Sequence, residues 1–540
     1  MSFVDYHLRS MEVRRYHELS KHRLDQYAPG PEFLDWANQP EAFRWFTGTH
    51  RLELGLRADQ LQTSYGDLRR AVPLEPAPMN SANVGVLLEM SLGLAAWKAY
   101  GATRWAVRCN PSSGNLHPTE AYLGIPGLPD LEPGIFHYLS RDHVLEQRTQ
   151  IEGPVWQDAL QGNLLLVLTS IHWREAWKYG VRAYRYCHLD AGHALAALAY
   201  GAAALGWRSH LLTAPGDREL GHLVGIDREP DFADAEGESA DLALVVGPHP
   251  EAVDVGKILS LTSPSVWHGR ANRLSAAQLA WPQIDLAHRN CRKPPSLPSA
   301  WTPAELPPLT TPAHAQLPAS TLFRMRRSAR AFDGRTPIDA DTLFDLLETL
   351  LPRPNTAPWA CLPWEPSVHP ILFLHRVKGL APGLYAFPRT AAAARRLQEQ
   401  LSHFRWEQPA GCPAHLPLFL LASGDFSQIA AGFSCYQDLA GDAAFAMALL
   451  GDFKQSLDGA PWGYRYLHWE AGMLGQLLYL EAEANGFRGT GIGCFFDDAF
   501  HQWLGLTDNE WQDLYHFTVG TPVGDSRLET LPPYGHLGNR

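Results

Sequence analysis

Two stretches of the chain have the apolar spacing of long helices. Residues 183–208 read "AYRYCHLDAGHALAALAYGAAALGWR" and residues 463–488 read "GYRYLHWEAGMLGQLLYLEAEANGFR". Alanine and leucine, which favour helix, dominate both. Each stretch ends beside a glycine, Gly206 or Gly486, where a left-handed residue would close the helix.

These two predicted helices repeat one another. They align without a gap at a shift of 280 residues, and Asp190 and Glu470 keep a carboxylate at one position. Identical pairs include Tyr184/Tyr464, Arg185/Arg465, Tyr186/Tyr466, His188/His468, Ala191/Ala471, Gly192/Gly472, Gly206/Gly486 and Arg208/Arg488.

Shorter apolar runs predict strands in a similar order in both halves. "EPGIFHY" (132–138) resembles "APGLYAF" (381–387). "LLLVLTS" pairs with "LPLFLLAS" (416–423) before the helix, and "LALVVG" pairs with "HFTVG" after it. We predict a tandem duplication of one α+β domain with a mixed, mainly antiparallel sheet flanked by helices. Two such copies would close into a pseudo-two-fold pair, an intramolecular pseudo-dimer.

A proline-rich segment separates the two halves. Residues 293–318 contain eight prolines in 26 positions, which excludes a helix or central strand and favours an extended, semi-stiff linker. We therefore predict four parts. They are an N-terminal extension packing on the core (1–80), a first domain (81–285), a linker (286–318) and a second domain (319–540).

Composition excludes several classes of protein. A chain of 540 residues is too long for one core. A net charge of −12 without a basic block argues against nucleic acid or an anionic membrane as partner. No apolar run has the length of a membrane span, and "MSFVDYHLRSMEVRRYHELSKHR" lacks an apolar signal core. We expect a cytoplasmic protein.

Cysteine and histidine spacing predicts no metal centre. The seven cysteines are scattered and form no CxxC motif, which argues against both a disulfide framework and a zinc site. His188 and His193 lie five residues apart on a predicted helix and would point in different directions.

The turn in "RCNPSSGNLHPTEAYL" concentrates small hydrogen-bonding groups beside a predicted strand. Ser112, Ser113 and Asn115 offer short donors and acceptors, and Gly114 would let a ligand approach the backbone. The pattern indicates either a tight connection or a surface for a planar polar ligand.

Two further strings have a ligand-binding and an ordinary interpretation. "RRSARAF" (326–332) combines arginine forks with a serine hydroxyl, which suit phosphate, or it is a solvated basic turn. "GTGIGCFF" (489–496) has three glycines in alternate positions that would let backbone N–H groups face a flat ligand, or it starts a strand. The GxGxxG spacing of dinucleotide sites is absent.

Lys178 and Tyr179 in "WKYGVRAY" belong to one half only. The matching position of the second half holds Asp458 and Gly459. Lysine beside tyrosine would form a proton-transfer pair if burial or a neighbouring cation lowered their pKa values. A surface lysine is the alternative.

In this order, the strings resemble the nitroreductase-like flavoprotein family, and within it the SagB-type dehydrogenase branch. That branch includes the azoline oxidases of peptide natural-product pathways. The resemblance covers most of both halves and includes "YHELSKHR" near the N-terminus. It implies an FMN bound at an interface to which two subunits contribute different pieces.

The resemblance also implies a role for individual residues. Lys178 and Tyr179 resemble the pair assigned to proton transfer in azole-forming members. The implied FMN ligands are Arg326, Arg327, Ser328, Arg330 and Arg527 at the phosphate, Gly491, Ile492 and Gly493 at the flavin N5 edge, and Pro111, Ser112, Ser113 and Asn115 against the ring and ribityl chain.

The implied pieces are divided unequally between the halves. The phosphate turn, N5 loop and terminal arginine lie in the second half, whereas the serine turn and the Lys–Tyr pair lie in the first. The reciprocal copies are degenerate: "RRAVP" (69–73) lacks the serine and third arginine, and "EPSVHP" (365–370) lacks the asparagine. We expect one composite site with one FMN per chain.

The expected function is that of an FMN-dependent oxidoreductase. In the SagB-type version it oxidises a peptide thiazoline or oxazoline, or a similar C–N or C–C bond, and oxygen reoxidises the flavin. The alternatives are an NAD(P)H-dependent nitroreductase or ene-type reductase and a non-catalytic flavin-binding scaffold of a modification complex. Expected partners are a small-molecule or modified-peptide substrate and natural-product modification enzymes, and further oligomerisation stays open.

Overall fold

Helices and strands occur along the whole chain, of which the computed structural model describes residues 3–260 and 266–538. Its α-helices are α1 Phe3–Leu19, α2 Tyr65–Arg69, α3 Ser81–Ser91, α4 Pro154–Leu160, α5 His172–Tyr179, α6 Ala183–Ala204, α7 Asp217–Val224, α8 Glu229–Phe232, α9 Val255–Ser260, α10 Pro282–Cys291, α11 Ala319–Met325, α12 Ala340–Thr349, α13 Ala391–Gln400, α14 Ser427–Phe433, α15 Asp438–Asp442, α16 Phe453–Leu457, α17 Gly463–Ala484 and α18 Asp497–Leu504.

The strands are short, and most of them are buried. They are β1 Phe46–Thr47, β2 His50–Glu53, β3 Leu94–Tyr100, β4 Thr103–Arg108, β5 Thr119–Ile125, β6 Gly134–Leu139, β7 Val144–Gln150, β8 Leu164–Ser170, β9 Arg208–Leu212, β10 Ser239–Gly247, β11 Arg270–Ala271, β12 Ile338–Asp339, β13 Val368–Leu374, β14 Val377–Lys378, β15 Gly383–Ala386, β16 Phe419–Ser423, β17 Phe445–Asp452, β18 Arg488–Ile492, β19 Trp511–Gly520 and β20 Glu529–Leu531.

Two antiparallel sheets form the centres of the two halves. The first has the order β2-β7-β6-β5-β8-β10-β9 and the second β16-β15-β13-β17-β19-β18. Helix α6 packs on β5, β8 and β10, and α17 packs on β13, β17 and β19. The short pair β12–β14 is parallel. This arrangement confirms the predicted α+β class.

The two sheets share a strand order. The run β6-β5-β8-β10-β9 has the same sequence of neighbours as β15-β13-β17-β19-β18. The predicted match of residues 164–170 with 416–423 is therefore wrong, because β17 takes the place of β8 and residues 419–423 form the edge strand β16. Both candidate segments are apolar, and only the neighbouring strands distinguish them.

The repeated helices end as the sequence predicts. Helices α6 and α17 have 22 residues each. Gly206 and Gly486 follow them with φ of 68° and 77°, in the left-handed region that glycine adopts at little cost.

Helices α6 and α17 cross at a pair of equivalent glycines. A Cβ on Gly192 would lie 2.2 Å from the carbonyl oxygen of Trp469, and a Cβ on Gly472 would lie 2.1 Å from that of Leu189. The equivalent rings of Tyr184 and Tyr464 stack with centroids 6.4 Å apart and planes inclined by 8°. Repeated residues of the two halves therefore meet each other.

The segments outside the two predicted domains are built into the fold. Strand β2 is the edge strand of the first sheet, and Ser10 on α1 donates to the carbonyl oxygen of Leu457 (2.6 Å). Helix α10 runs through the predicted boundary at residues 285/286. Residues 292–312 contain no helix or strand, in agreement with their proline content.

The C-terminal strand links the end of the second half to the first half. Strand β20 pairs with β3 in a three-stranded sheet, β20-β3-β4. The backbone N–H of Leu94 donates to the Tyr534 hydroxyl (2.9 Å), and Trp97 Nε1 donates to the carbonyl oxygen of Pro533 (2.8 Å). These contacts place the β3–β4 hairpin beside the second half. Among the described residues, no helix combines the length and apolarity needed to cross a bilayer.

Candidate functional site

A cleft of about 1200 Å³ lies between residues of the first half and residues of the second half. Every residue that the sequence analysis assigned to FMN or to proton transfer lines it. From the first half these are Pro111, Ser112, Ser113, Asn115, Lys178 and Tyr179, and from the second Arg326, Arg327, Ser328, Arg330, Gly491, Ile492, Gly493 and Arg527. Segments far apart in the sequence therefore meet at one place.

The serine turn (residues 111–115) forms one wall of the cleft. Gly114 and Asn115 have φ of 58° and 60°, a left-handed conformation that glycine and asparagine tolerate best. The Asn115 amide donates to the carbonyl oxygen of Ala106 (2.8 Å) and fixes the turn on β4. A Cβ on Gly114 would lie 2.5 Å from the Tyr179 hydroxyl. Tyr179 therefore fills the space that a Cβ on Gly114 would occupy, and Gly114 itself lines the cleft.

Two buried carboxyl groups lie behind the serine turn. Asp190 Oδ1 accepts from the backbone N–H (2.9 Å) and hydroxyl (2.9 Å) of Ser113. Burial raises the pKa of Asp190 to about 7, although hydrogen bonds from the turn oppose the shift. Neither carboxylate oxygen of Glu175 has a hydrogen-bond partner within the described residues. Burial, then the charge of Asp190, raises the pKa of Glu175 well above its ordinary value.

Arg326 extends from the second half into the first. Its Nε donates to the carbonyl oxygen of Cys109 (2.9 Å) and its Nη2 to that of Arg108 (3.1 Å). Its Nη1 has no hydrogen-bond partner in the described part of the chain, although the residue is only 3% exposed. An unpaired buried donor is costly. Because Arg326 lines the cleft, this nitrogen is available to an anion bound there.

Arg327 and Ser328 continue the same turn. Arg327 Nη1 donates to the carbonyl oxygen of Arg326 (2.7 Å), and its Nη2 donates to that of Ala95 (3.0 Å). Burial, then the charge of Arg326, lowers the pKa of Arg327 to about 10. The Ser328 hydroxyl lies 2.8 Å from that of Tyr479. Positive charge is thus concentrated at this end of the cleft.

Two arginines occupy the outer rim. The Arg527 side chain is 68% exposed and pairs with Asp525 (2.9 Å). The Arg330 side chain is 62% exposed, with its Nη1 3.9 Å from the same carboxylate. Their exposure fits contact with the outer part of a bound molecule better than contact with its buried part.

Sequence reasoning missed two cations of the site. Lys98 on β3 and Arg488 at the start of β18 line the cleft with the arginine turn. Burial, followed by the charges of Arg327 and Arg488, lowers the pKa of Lys98. The sequence did single out Arg488, since it forms an identical pair with Arg208 in the repeated stretches. Lys98 carried no such signal, because only the docking of the β3–β4 hairpin brings it near the turn.

Gly491 in β18 and Gly493 just after it make room for tyrosines. A Cβ on Gly491 would lie 1.7 Å from the Tyr515 hydroxyl, and a Cβ on Gly493 would lie 2.5 Å from the Tyr186 ring. The Gly491 N–H donates to the Tyr479 hydroxyl (3.0 Å). The expectation that this N–H faces a ligand is corrected, because the tyrosine already accepts from it.

Lys178 and Tyr179 form the C-terminal end of α5, where Gly180 follows with φ of 53°. The Lys178 Nζ lies 5.2 Å from the centroid of the Tyr179 ring. Burial, then the charge of Glu175, raises the pKa of Tyr179 well above its ordinary value. The condition of a lowered pKa is therefore not met at Tyr179, whose phenol is kept protonated by the raised pKa.

Residues 365–370, predicted to be the degenerate copy of the serine turn, make one of the contacts of that turn. The Ser367 N–H donates to Glu470 (3.0 Å), as that of Ser113 donates to Asp190. Unlike Asp190, Glu470 also accepts from the guanidinium of Arg389. The carboxylate in the second half is therefore neutralised within the protein.

At residues 69–73, predicted to be the degenerate copy of the arginine turn, the arginine is also paired within the protein. Arg69 Nε donates to Glu481 (3.0 Å) and Nη2 donates to Asp345 (3.0 Å). Arg69 is 3% exposed, as is Arg326. Arg326 faces an open cleft with an unpaired nitrogen, whereas the charge of Arg69 is matched by two carboxylates.

Known proteins resemble both the second half and the whole chain. Residues 323–521 match the model of the nitroreductase family. A Methanocaldococcus jannaschii protein named "Putative nitroreductase MJ1384" is 25% identical over 143 residues, which cover 24% of this chain and 71% of that protein. A crystal structure named as a "putative nitroreductase" from Anabaena variabilis has a TM-score of 0.68 and 24% identity, and the match covers 95% of this chain and 99% of that one. The chain thus has the fold of the Anabaena protein, and its second half contains a nitroreductase family domain.

Proposed function

We propose that the protein is an FMN-dependent oxidoreductase that binds one FMN per chain in the cleft between its halves. The family domain of the second half supports this class of enzyme. The observation that carries the proposal is the unpaired, buried Nη1 of Arg326 at the cation-rich end of the cleft. That nitrogen needs an anionic acceptor, and the FMN phosphate supplies one.

The cation-rich end suits a phosphate. Arg326, Arg327, Lys98 and Arg488 all line it, and Ser328 adds a hydroxyl. A phosphate monoester carries close to two negative charges at neutral pH and three strong acceptor oxygens. Guanidinium groups bind such oxygens through charge-assisted hydrogen bonds. Arg330 and Arg527 on the rim would add long-range attraction.

The middle of the cleft suits a flat ring system. The serine turn lies on one side, and β18 with the tyrosines behind it lies on the other. These two walls would hold the ring system of FMN, and the Ser112 and Asn115 side chains would offer it polar contacts. FMN, when bound, supplies a two-electron hydride acceptor.

The closed copies explain why we propose one flavin and not two. Glu481 and Asp345 match the charge of Arg69, and Glu470 accepts from the Ser367 backbone N–H and the Arg389 guanidinium, so the carboxylates of the protein occupy the cations of the second position. The shared strand order and the crossing of α6 with α17 support a tandem duplication that forms a pseudo-dimer. In this interpretation one of two ancestral sites has been lost.

We propose a SagB-type reaction, the oxidation of a peptide azoline to an azole. This conversion removes one hydride and one proton from neighbouring atoms of the ring. We assign the proton to the Lys178 amino group at the cleft wall. Tyr179, whose pKa is raised by burial and by Glu175, would orient the substrate by donating a hydrogen bond. A cleft of about 1200 Å³ exceeds the common size of small-molecule pockets, which leaves room for substrate beside FMN.

Flavin content tests the composite site directly. The full-length protein is denatured, and the released flavin is identified by chromatography and quantified against chain concentration. One FMN per chain is expected. Two per chain would mean that the copy around Arg69 also binds flavin, and none after reconstitution with excess FMN would refute the proposal.

A second candidate is an NAD(P)H-dependent reductase. The names of the Methanocaldococcus and Anabaena proteins favour it, and the exposed arginines on the rim would suit an anionic nucleotide. Anaerobic mixing with NADPH distinguishes the two reactions, since rapid bleaching of the flavin favours the reductase. A bound flavin that is reduced by neither NADPH nor an azoline peptide would instead indicate a non-catalytic, flavin-binding scaffold protein.

A further inference from the structure

Two cysteines of the second half lie together at the cleft wall. Cys494 follows Gly493 and lines the cleft, whereas Cys435 follows α14 in a separate segment. Their thiols are within hydrogen-bonding reach of one another, and both side chains are half-buried and unbridged. We call them the cysteine pair. Neither residue is among those assigned to FMN above, although Cys494 lines the same cleft.

The backbone around Cys435 is held in an unusual conformation. Cys435 and Tyr436 both have positive φ, 53° and 58°, which costs free energy in residues with a Cβ and tends to occur at functional sites. The Gln437 amide donates to the carbonyl oxygens of Ser434 (2.9 Å) and Cys494 (3.2 Å). Gln437 thus fastens the strained turn against the loop that carries Cys494.

The N-terminal segment supplies a histidine and a tyrosine to the pair. His22 Nδ1 accepts from the backbone N–H of Ala28 (2.9 Å), so the neutral ring carries its proton on Nε2. His22 hydrogen-bonds the Cys494 side chain, and Tyr27 hydrogen-bonds that of Cys435. A donor on Nε2 stabilises a thiolate better than a thiol.

The surroundings make the two thiols unequal. The hydrogen bond with Cys435 lowers the pKa of Cys494 and raises that of Cys435, and His22 lowers the Cys494 value further. Arg182, whose guanidinium donates to the carbonyl oxygen of Gly493 (3.0 Å), adds a positive charge nearby. This inequality is typical of dithiol sites, where one sulfur attacks and the other resolves.

From this arrangement we infer that Cys494 and Cys435 form a second redox site, a dithiol that reduces small disulfides entering through the cleft. Cys494 is the attacking sulfur because it lines the cleft, and Cys435 is the resolving sulfur because it lies behind. The inference does not require FMN.

The reaction balances without a further reactant. The Cys494 thiolate attacks one sulfur of a disulfide, whose S–S bond breaks and releases the first thiolate, which takes a proton from solvent. The Cys435 thiol then loses its proton and attacks the Cys494 sulfur, which releases the second thiol. The two cysteines are oxidised to one disulfide and the small disulfide is reduced to two thiols.

Intact mass spectrometry of the full-length protein tests the inference. Treatment with 2-hydroxyethyl disulfide is expected to remove two free thiols and lower the mass by about 2 Da, the two hydrogens lost on disulfide formation. In Cys435→Ser the reaction is expected to stop at a mixed disulfide on Cys494. In Cys494→Ser, which lacks the attacking sulfur, Cys435 is expected to stay a free thiol. Cys412→Ser, which alters a half-buried cysteine outside the cleft, should behave as the parent.

Peptide mapping of the oxidised parent keeps the test independent of how the variants fold. A crosslink between the peptides of Cys435 and Cys494 supports the inference. A parent whose mass does not change, or a crosslink through Cys412 instead, would overturn it. Flavin content, measured separately, distinguishes this result from the outcome for the proposed FMN site.

Discussion

Asp190 makes the stability of the fold depend on pH. Burial raises its pKa from the ordinary 3.8 to about 7. Because the folded carboxyl holds its proton more tightly than the unfolded one, its stabilising contribution is complete below pH 3.8 and is lost as the pH rises through 7. Raising the pH from 5 to 8 should therefore lower the free energy of unfolding by roughly 2–3 kcal/mol through this one group.

Asp190→Asn should remove this dependence, since the amide oxygen can still accept from Ser113. Urea unfolding between pH 5 and pH 8 measures the free energy of unfolding of both proteins. The parent should lose roughly 2–3 kcal/mol more than the variant across this range. Asp234→Asn, which changes an exposed aspartate, serves as the control. If the free energy of unfolding changed equally with pH in the parent and in Asp190→Asn, Asp190 would not titrate between pH 5 and pH 8.

A substitution of Lys178 should affect turnover without affecting flavin binding. In the proposed reaction its amino group takes the substrate proton but does not hold the cofactor. Lys178→Ala should keep one FMN per chain and lower kcat by about 10²–10⁴-fold, the usual contribution of a general base. Flavin absorbance and steady-state rates measure the two effects. Lys257→Ala, at an exposed position on α9, should change neither, and an active Lys178→Ala would remove the residue from the mechanism.

The crossing of α6 and α17 depends on the absence of two side chains. A methyl group on Gly192 would lie 2.2 Å from a carbonyl oxygen of the other helix, so the helices must separate to admit it. Gly192→Ala should destabilise the protein by about 1–3 kcal/mol or more, as overpacking does. Gly432→Ala in α14, where a Cβ meets no atom within 4 Å, should be neutral or stabilising. Thermal unfolding of both variants tests this, and similar shifts in the two would contradict the close crossing.

Elements with strong local signals were predicted well. The repeated helices and their glycine stops follow from alanine content and the left-handed conformation that closes a helix. The partner of β8 was not predictable, since residues 416–423 and 445–452 are both apolar and local pattern says nothing about neighbours in a sheet. Gly491 and Gly493 show another limit, because the tyrosines that require them come from β19 and α6.

At the scale of the molecule, the candidate site was predictable only through the division of motifs between the halves. Residues such as Ser113 and Arg326 carry local signals, and their degenerate counterparts indicated one composite cleft. The roles of Lys98, Asp190 and the cysteine pair were not predictable, since each gains its character from elements distant in sequence. Burial and pairing distinguish such residues, and no local pattern encodes either.

Matched substitutions of Arg326 and Arg69 test directly whether only one of the two halves binds the FMN phosphate. Arg326→Gln removes the unpaired cation, and losing one charge-assisted hydrogen bond costs about 1.5–3 kcal/mol, which weakens FMN binding by roughly 10–150-fold. Arg69→Gln instead breaks the internal ion pairs with Glu481 and Asp345. It should lower the free energy of unfolding while leaving one FMN per folded chain. Flavin titration together with circular dichroism separates loss of binding from loss of folding. If Arg69→Gln lost the flavin and Arg326→Gln kept it, Arg69 would be the residue that binds the phosphate and Arg326 the residue that only stabilises the fold.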